Sequence, residues 1–177
     1  EHEPFGIEFK LSTWKDVPEE FGNPQEIINR TLVKKCDVFV GLIWKKWGTP
    51  TGQSDCGFKE EFEIAEKRYN ETRQPTILLY AKTVNEQDIE NNGKKDFDKV
   101  KEFKNEIITK NKGFLIEFDT IDNWKETIRR RLTLYLSQYV QKKLDSTSKV
   151  SEEPQGSQPI SSERKYDVIE KVKTPKE

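Results

Sequence analysis

The chain has 177 residues, 36% charged and 32% hydrophobic, with a formal net charge of −1. That length fits about one domain with an economical core. The balance of 31 basic against 32 acidic residues excludes the basic field that nucleic-acid binding needs.

Residues 6–12 alternate Ile7, Phe9 and Leu11 with polar neighbours, the period of a half-buried strand. A loop with Pro18 and Gly22 leads to Asn23-Pro24, an N-cap followed by proline at the first helical position. The helix that follows carries Ile28, Leu32 and Lys35 on one face. From Cys36 to Trp44 the chain is apolar at nearly every position, as in a parallel-sheet strand buried on both faces. Residues 45–56 form a loop. A helix from about Gly57 to Tyr69 follows, with Phe58, Phe62, Ala65 and Tyr69 in one stripe. Residues 76–81 read as a third strand and 83–95 as a polar loop. The next helix, 96–110, buries Phe97, Val100, Phe103 and Ile107 and stops at Asn111-Lys112-Gly113. Residues 114–118 are a fourth strand. The last helix spans 123–144, with Asn123 and Glu126 spaced as a capping box.

Beyond Leu144 the composition changes. Residues 145–163 are rich in Ser, Glu, Pro and Gln and read as a disordered linker. Residues 164–177 carry Tyr166, Val168, Ile169 and Val172 and read as a tail or the start of another segment. Residues 1–144 are then one α/β domain. Strands separated by single helices predict a doubly wound, Rossmann-like or flavodoxin-like parallel sheet with helices on both faces. Ligands of such sheets bind beyond the carboxyl ends of the strands. That places the candidate site in loops 12–23, 45–56 and 82–95.

Several chemistries are missing from the sequence. There is no phosphate-binding Gly-x-x-x-x-Gly-Lys loop and no Gly-x-Gly-x-x-Gly after a strand. The one histidine, His2, and two cysteines, Cys36 and Cys56, make neither a metal site nor a nucleophile–histidine pair. A chain of this length buries a core without a disulfide, although two cysteines leave one open. No stretch approaches the ~20 apolar residues of a membrane span. With no visible signal peptide, the expected location is cytoplasmic. Arg129-Arg130-Arg131 reads as a solvated helix face.

The candidate loops offer Ser12 and Trp14 after the first strand, and Trp44, Trp47, Gly48, Thr49 and Thr51 after the second. Aromatics beside small hydroxyl residues suit a flat base and a sugar; the tryptophans could equally cover the sheet edge. The helix after this loop has three acids, Glu60, Glu61 and Glu63. At ~100° per residue, Glu61 lies about 60° from the apolar stripe, whereas Glu60 and Glu63 point toward solvent. Glu61 is therefore the acid between apolar neighbours, where a carboxylate suits acid–base or nucleophilic work or pairs with a lysine. Cys56 has no base beside it, and Asp37 at the amino end of its strand reads as structural.

These residues have a family resemblance. Gly22-Asn23-Pro24-Gln25, Cys36-Asp37-Val38-Phe39-Val40-Gly41, Gly48-Thr49-Pro50-Thr51 and Gly57-Phe58-Lys59-Glu60-Glu61-Phe62-Glu63-Ile64-Ala65 resemble the family catalogued as domain of unknown function 4062 (DUF4062), over roughly residues 7–82. More distantly, Gly57, Glu61 and Ala65 are similar to the helix of nucleoside 2-deoxyribosyltransferases and the related Toll/interleukin-1 receptor (TIR) domains. In those groups a glutamate attacks or stabilises the ribosyl carbon. The resemblance carries that role to Glu61 alone; Phe58 stands where those proteins have a threonine. It also implies a strand ending in paired serines and a helix ahead of the present first strand, neither visible here.

The resemblance implies a hydrolase that cleaves the N-glycosidic bond of a nucleotide, with NAD as a substrate and no cofactor required, of the kind that depletes NAD in antiviral defence. The alternative is a non-catalytic sensing or assembly module, used in signalling within a larger multidomain ATPase-type protein. Its partners would be copies of itself or neighbouring domains.

Overall fold

The computed structural model describes residues 7–85, 87, 89, 93–110, 112–150 and 166–170. The chain divides into two compact units. One is built on Phe9–Asp119 and the C-terminal strand, the other on the helical segment beginning at Thr120.

In chain order the elements are β1 (Phe9–Ser12), α1 (Pro24–Ile28), β2 (Val38–Ile43), α2 (Gly57–Thr72), β3 (Thr76–Lys82), α3 (Lys94–Thr109), β4 (Leu115–Phe118), α4 (Ile121–Val150) and β5 (Tyr166–Glu170). The sheet order is β1-β5-β2-β3-β4, and every pairing is parallel. Val38 pairs with Thr76 and Leu79 with Leu115, so the ladder β2-β3-β4 is continuous. The path steps across the sheet in one direction from β1 to β4 and then returns to β5, the connectivity of a doubly wound sheet. The α/β architecture predicted from the alternation of strands and helices is the one observed.

β2 explains why its sequence is apolar throughout. Phe39 and Ile43 join the core cluster with Phe62, Leu79, Ala81 and Phe103, while Val38, Val40, Leu78 and Tyr80 point to the opposite face and are buried as well. Gly41 lies where α2 comes closest to the sheet; a Cβ there would stand 2.7 Å from Leu79 Cδ2 and 2.9 Å from Phe58 Cζ. α3 packs on α2 through a ring cluster. Phe103 meets Trp47, Phe58 and Phe62 edge-on, with centroids 5.6, 6.0 and 5.7 Å away.

The helix ends show which local signals operate. Asn23 caps α1, its side chain accepting from Gln25 N–H at 2.9 Å with Pro24 behind it, as predicted. α1 continues as a π-helical turn, Asn29–Val33. Arg68 then closes that end, donating to the carbonyls of Val33 and Cys36 at 3.1 and 2.8 Å. The expected cap of α4 at Asn123 is corrected. The helix starts at Ile121, and the Thr120 hydroxyl accepts from Asn123 N–H at 3.2 Å, so Thr120 holds the cap position and Asn123 lies inside the first turn. α4 runs on to Val150, past the expected boundary at Leu144; residues 151–163 of the expected linker lie outside the described residues.

β1 also departs from expectation. Leu11 is 54% exposed and Ser12 is buried. β1 is an edge strand, paired on one side only. It ends where Thr13 and Asp16 form a reciprocal cap, Thr13 N–H donating to the Asp16 carboxylate at 2.6 Å.

Both cysteines are buried, and no disulfide joins them. Burial pushes the Cys36 thiol up to about 11, outweighing the opposing pull of Arg68. At pH 8 its thiolate fraction is about one in a thousand. A thiol-disulfide reagent is therefore expected to leave Cys36 unmodified in the native protein at pH 8 and to modify both cysteines in denaturant; rapid native labelling at Cys36, read by peptide mass, would contradict this packing.

Candidate functional site

The loops after β1 and β2 lead into α1 and α2, whose first turns lie together at the carboxyl edge of the sheet. Gly57 makes the close approach possible, since a Cβ there would collide with Gln25 Oε1. Cys56 caps α2, its sulfur accepting from Lys59 N–H at 3.4 Å, which gives this buried residue a structural role.

Two acids of α2 are buried at this seam, Glu60 at 7% and Glu61 at 2% exposure. A buried carboxylate needs hydrogen-bond donors, and α1 supplies them. Gln25 Nε2 donates to Glu61 Oε1 at 2.8 Å and to Asn29 Oδ1 at 3.2 Å. Asn29 Nδ2 donates to Glu60 Oε1 at 2.6 Å. The Thr51 hydroxyl donates to Glu60 Oε2 and also accepts from Ser54 N–H at 3.1 Å, which ties the β2–α2 loop to the same carboxylate. Glu61, Gln25, Asn29, Glu60 and Thr51 thus form one connected polar chain. The π turn begins at Asn29, and such turns recur at functional sites.

A groove of about 460 Å³ runs beside this chain, bordered by Phe21, Asn23, Asn29, Arg30, Lys34 and Glu60, among others. Its size suits a small-molecule ligand. Glu60 stands on its wall, and Glu61 lies behind that wall, held by Gln25. The expectation that Glu60 faces solvent is overturned. α2 is flanked twice, by α3 on its aromatic side and by α1 on its acidic side, so its buried arc is wider than one apolar stripe. Glu63 is exposed, as expected.

The other residues expected at the site are dispersed. Thr51 belongs to the polar chain. Trp44 borders a second cavity of about 260 Å³ with Lys82, Phe97, Lys101 and Lys104. Trp47 is 8% exposed and sits in the core against Phe103. Gly48 takes a left-handed φ of 98° and Thr49 is exposed. Ser12 is buried at the end of β1, and Trp14 is exposed. Gln25 and Asn29 are the residues that sequence reasoning missed. Their i,i+4 spacing, which puts both on one side of the helix, was the available signal.

Among known proteins, the family model described as Domain of unknown function (DUF4062) matches residues 2–133, about three quarters of the chain. No curated protein and no solved structure matches. The more distant likeness to TIR and deoxyribosyltransferase domains is not borne out by these comparisons.

Replacing a helical glycine by alanine ordinarily stabilises by roughly 0.5–1 kcal/mol. Gly57→Ala is expected to do the opposite, a net loss of about 1 kcal/mol, because it displaces Gln25 from the Glu61 carboxyl group. Urea unfolding measures the sign, and a stabilised variant would show that Gln25 is not held at this seam.

Proposed function

The chain belongs to the DUF4062 family, and from that premise we propose that it cleaves the N-glycosidic bond of a nucleotide such as NAD in the groove between α1 and α2. The observation that supports this reading most is the pair of buried, hydrogen-bonded carboxylates near the start of α2, of which Glu60 borders that groove. An ionised carboxylate only accepts hydrogen bonds. In this reading Glu60, on the groove wall, receives ribose hydroxyls. Glu61 is the reacting carboxylate of this reading: as the base leaves, positive charge gathers on the ribosyl carbon, and a nearby carboxylate stabilises or captures it. Water then takes the ribosyl group. Gln25 keeps the Glu61 side chain turned toward α1, so a productive complex needs that bond to open.

Incubating the protein with NAD and following nicotinamide by chromatography tests the reading. Wild type is expected to release nicotinamide. Glu61→Ala should lose at least roughly a hundredfold in rate, the scale of removing one acid–base or electrostatic group. Glu60→Gln should chiefly raise KM. Equal rates in wild type and Glu61→Ala would reject the assignment.

A further inference from the structure

The groove carries its charge in two groups. Glu60 and Glu26 lie toward the first turns of the two helices. Arg30 and Lys34 follow along the first one, four residues apart and both on the groove. The Arg30 guanidinium is already engaged by an oxyanion: its Nη2 meets Glu20 Oε2 at 2.5 Å. Glu20 comes from the loop after β1, and its carboxylate also borders the groove. Both partners are largely exposed, so the pair is held by little more than one charged hydrogen bond. A carboxylate in that place marks where a second oxyanion fits. Phosphate offers more charge and more acceptor oxygens than a carboxylate, and guanidinium and ammonium groups together bind it well.

We propose that Arg30 and Lys34 form a phosphate subsite in this groove, and that Glu20 is a latch which occupies the subsite until a phosphorylated ligand displaces it. The ligand class is then a nucleotide carrying phosphate, not a free nucleoside. The subsite deepens the nucleotide reading given above and rests on it for the ribose end. On this arrangement the two ends of the ligand meet opposite chemistry. Acceptors at Glu60 take sugar hydroxyls, and donors at Arg30 and Lys34 take the phosphate.

Calorimetric titration of the whole protein with AMP and with adenosine, at low salt, tests the subsite. AMP is expected to bind roughly tenfold tighter than adenosine, the worth of one or two charge-assisted hydrogen bonds at an exposed site. Arg30→Ala should abolish that preference. Glu20→Gln should widen it about threefold, since removing the competing carboxylate frees the guanidinium. Equal affinity for the two ligands, no binding of AMP at millimolar concentration, or a Glu20→Gln protein that binds AMP more weakly would each overturn the proposal. The nicotinamide assay separates the two readings. If AMP is preferred through Arg30 and no nicotinamide is ever released, the subsite stands and glycosidic cleavage falls. If nicotinamide is released and Arg30→Ala leaves KM for NAD unchanged, cleavage stands and the subsite falls.

Discussion

Burying two adjacent carboxylates on one helix is costly unless every lone pair that leaves water finds a donor. Glu60 and Glu61 find theirs on α1, so the seam between α1 and α2 is polar where helix seams are ordinarily apolar. That requirement fixes much else. Gln25 and Asn29 must both face α2, and Gly57 must lack a side chain so that Gln25 can reach Glu61. The loop after β2 must bring Thr51 back over Glu60. Removing Gln25 or Asn29 would take a donor from a buried carboxylate, which ties the network to the docking of α1.

The opposite flank of α2 is rigid in a different way. Phe58 and Phe62 lock edge-on against Phe103 of α3, with Trp47 closing the cluster. α2 is thereby held by an apolar contact on one side and a directional one on the other. Directional bonds specify geometry more tightly than apolar area does, and they fix where the two buried carboxylates stand. The groove lies on the polar side, where the loop after β1 and the charged edge of α1 are open to a ligand.

Much of this was legible from residue order. The unbroken apolar runs of β2 and β3 announced strands buried on both faces, and Asn23-Pro24 announced the start of α1. Glu61 was picked out by its angle to the Phe58–Phe62–Ala65 stripe, and it is buried. The same count placed Glu60 in solvent, because a helical wheel assumes one buried direction and α2 has two. Trp47 was read either toward a ligand or as a cover for the sheet edge; its ring packs in the core against Phe103. Asn123 and Glu126 had the right spacing for a cap, but Thr120, three residues earlier, also offers a side-chain oxygen acceptor and takes the position. Local spacing cannot choose between two competent caps. The place of Tyr166–Glu170 between β1 and β2 was beyond reach for another reason: five residues with ordinary strand propensity do not encode which strands they will join.

A double-mutant cycle on Asn29 and Glu60 addresses the seam most directly. Asn29→Ala, Glu60→Ala and the double variant would be unfolded in urea beside the wild type. If the amide-to-carboxylate bond organises the seam, the two substitutions couple by about 1–3 kcal/mol, and the double variant is less destabilised than the sum of the singles. Additive losses, with coupling near zero, would mean that α1 docks on α2 without this network, and the placement of Glu60 on the groove would lose its physical basis.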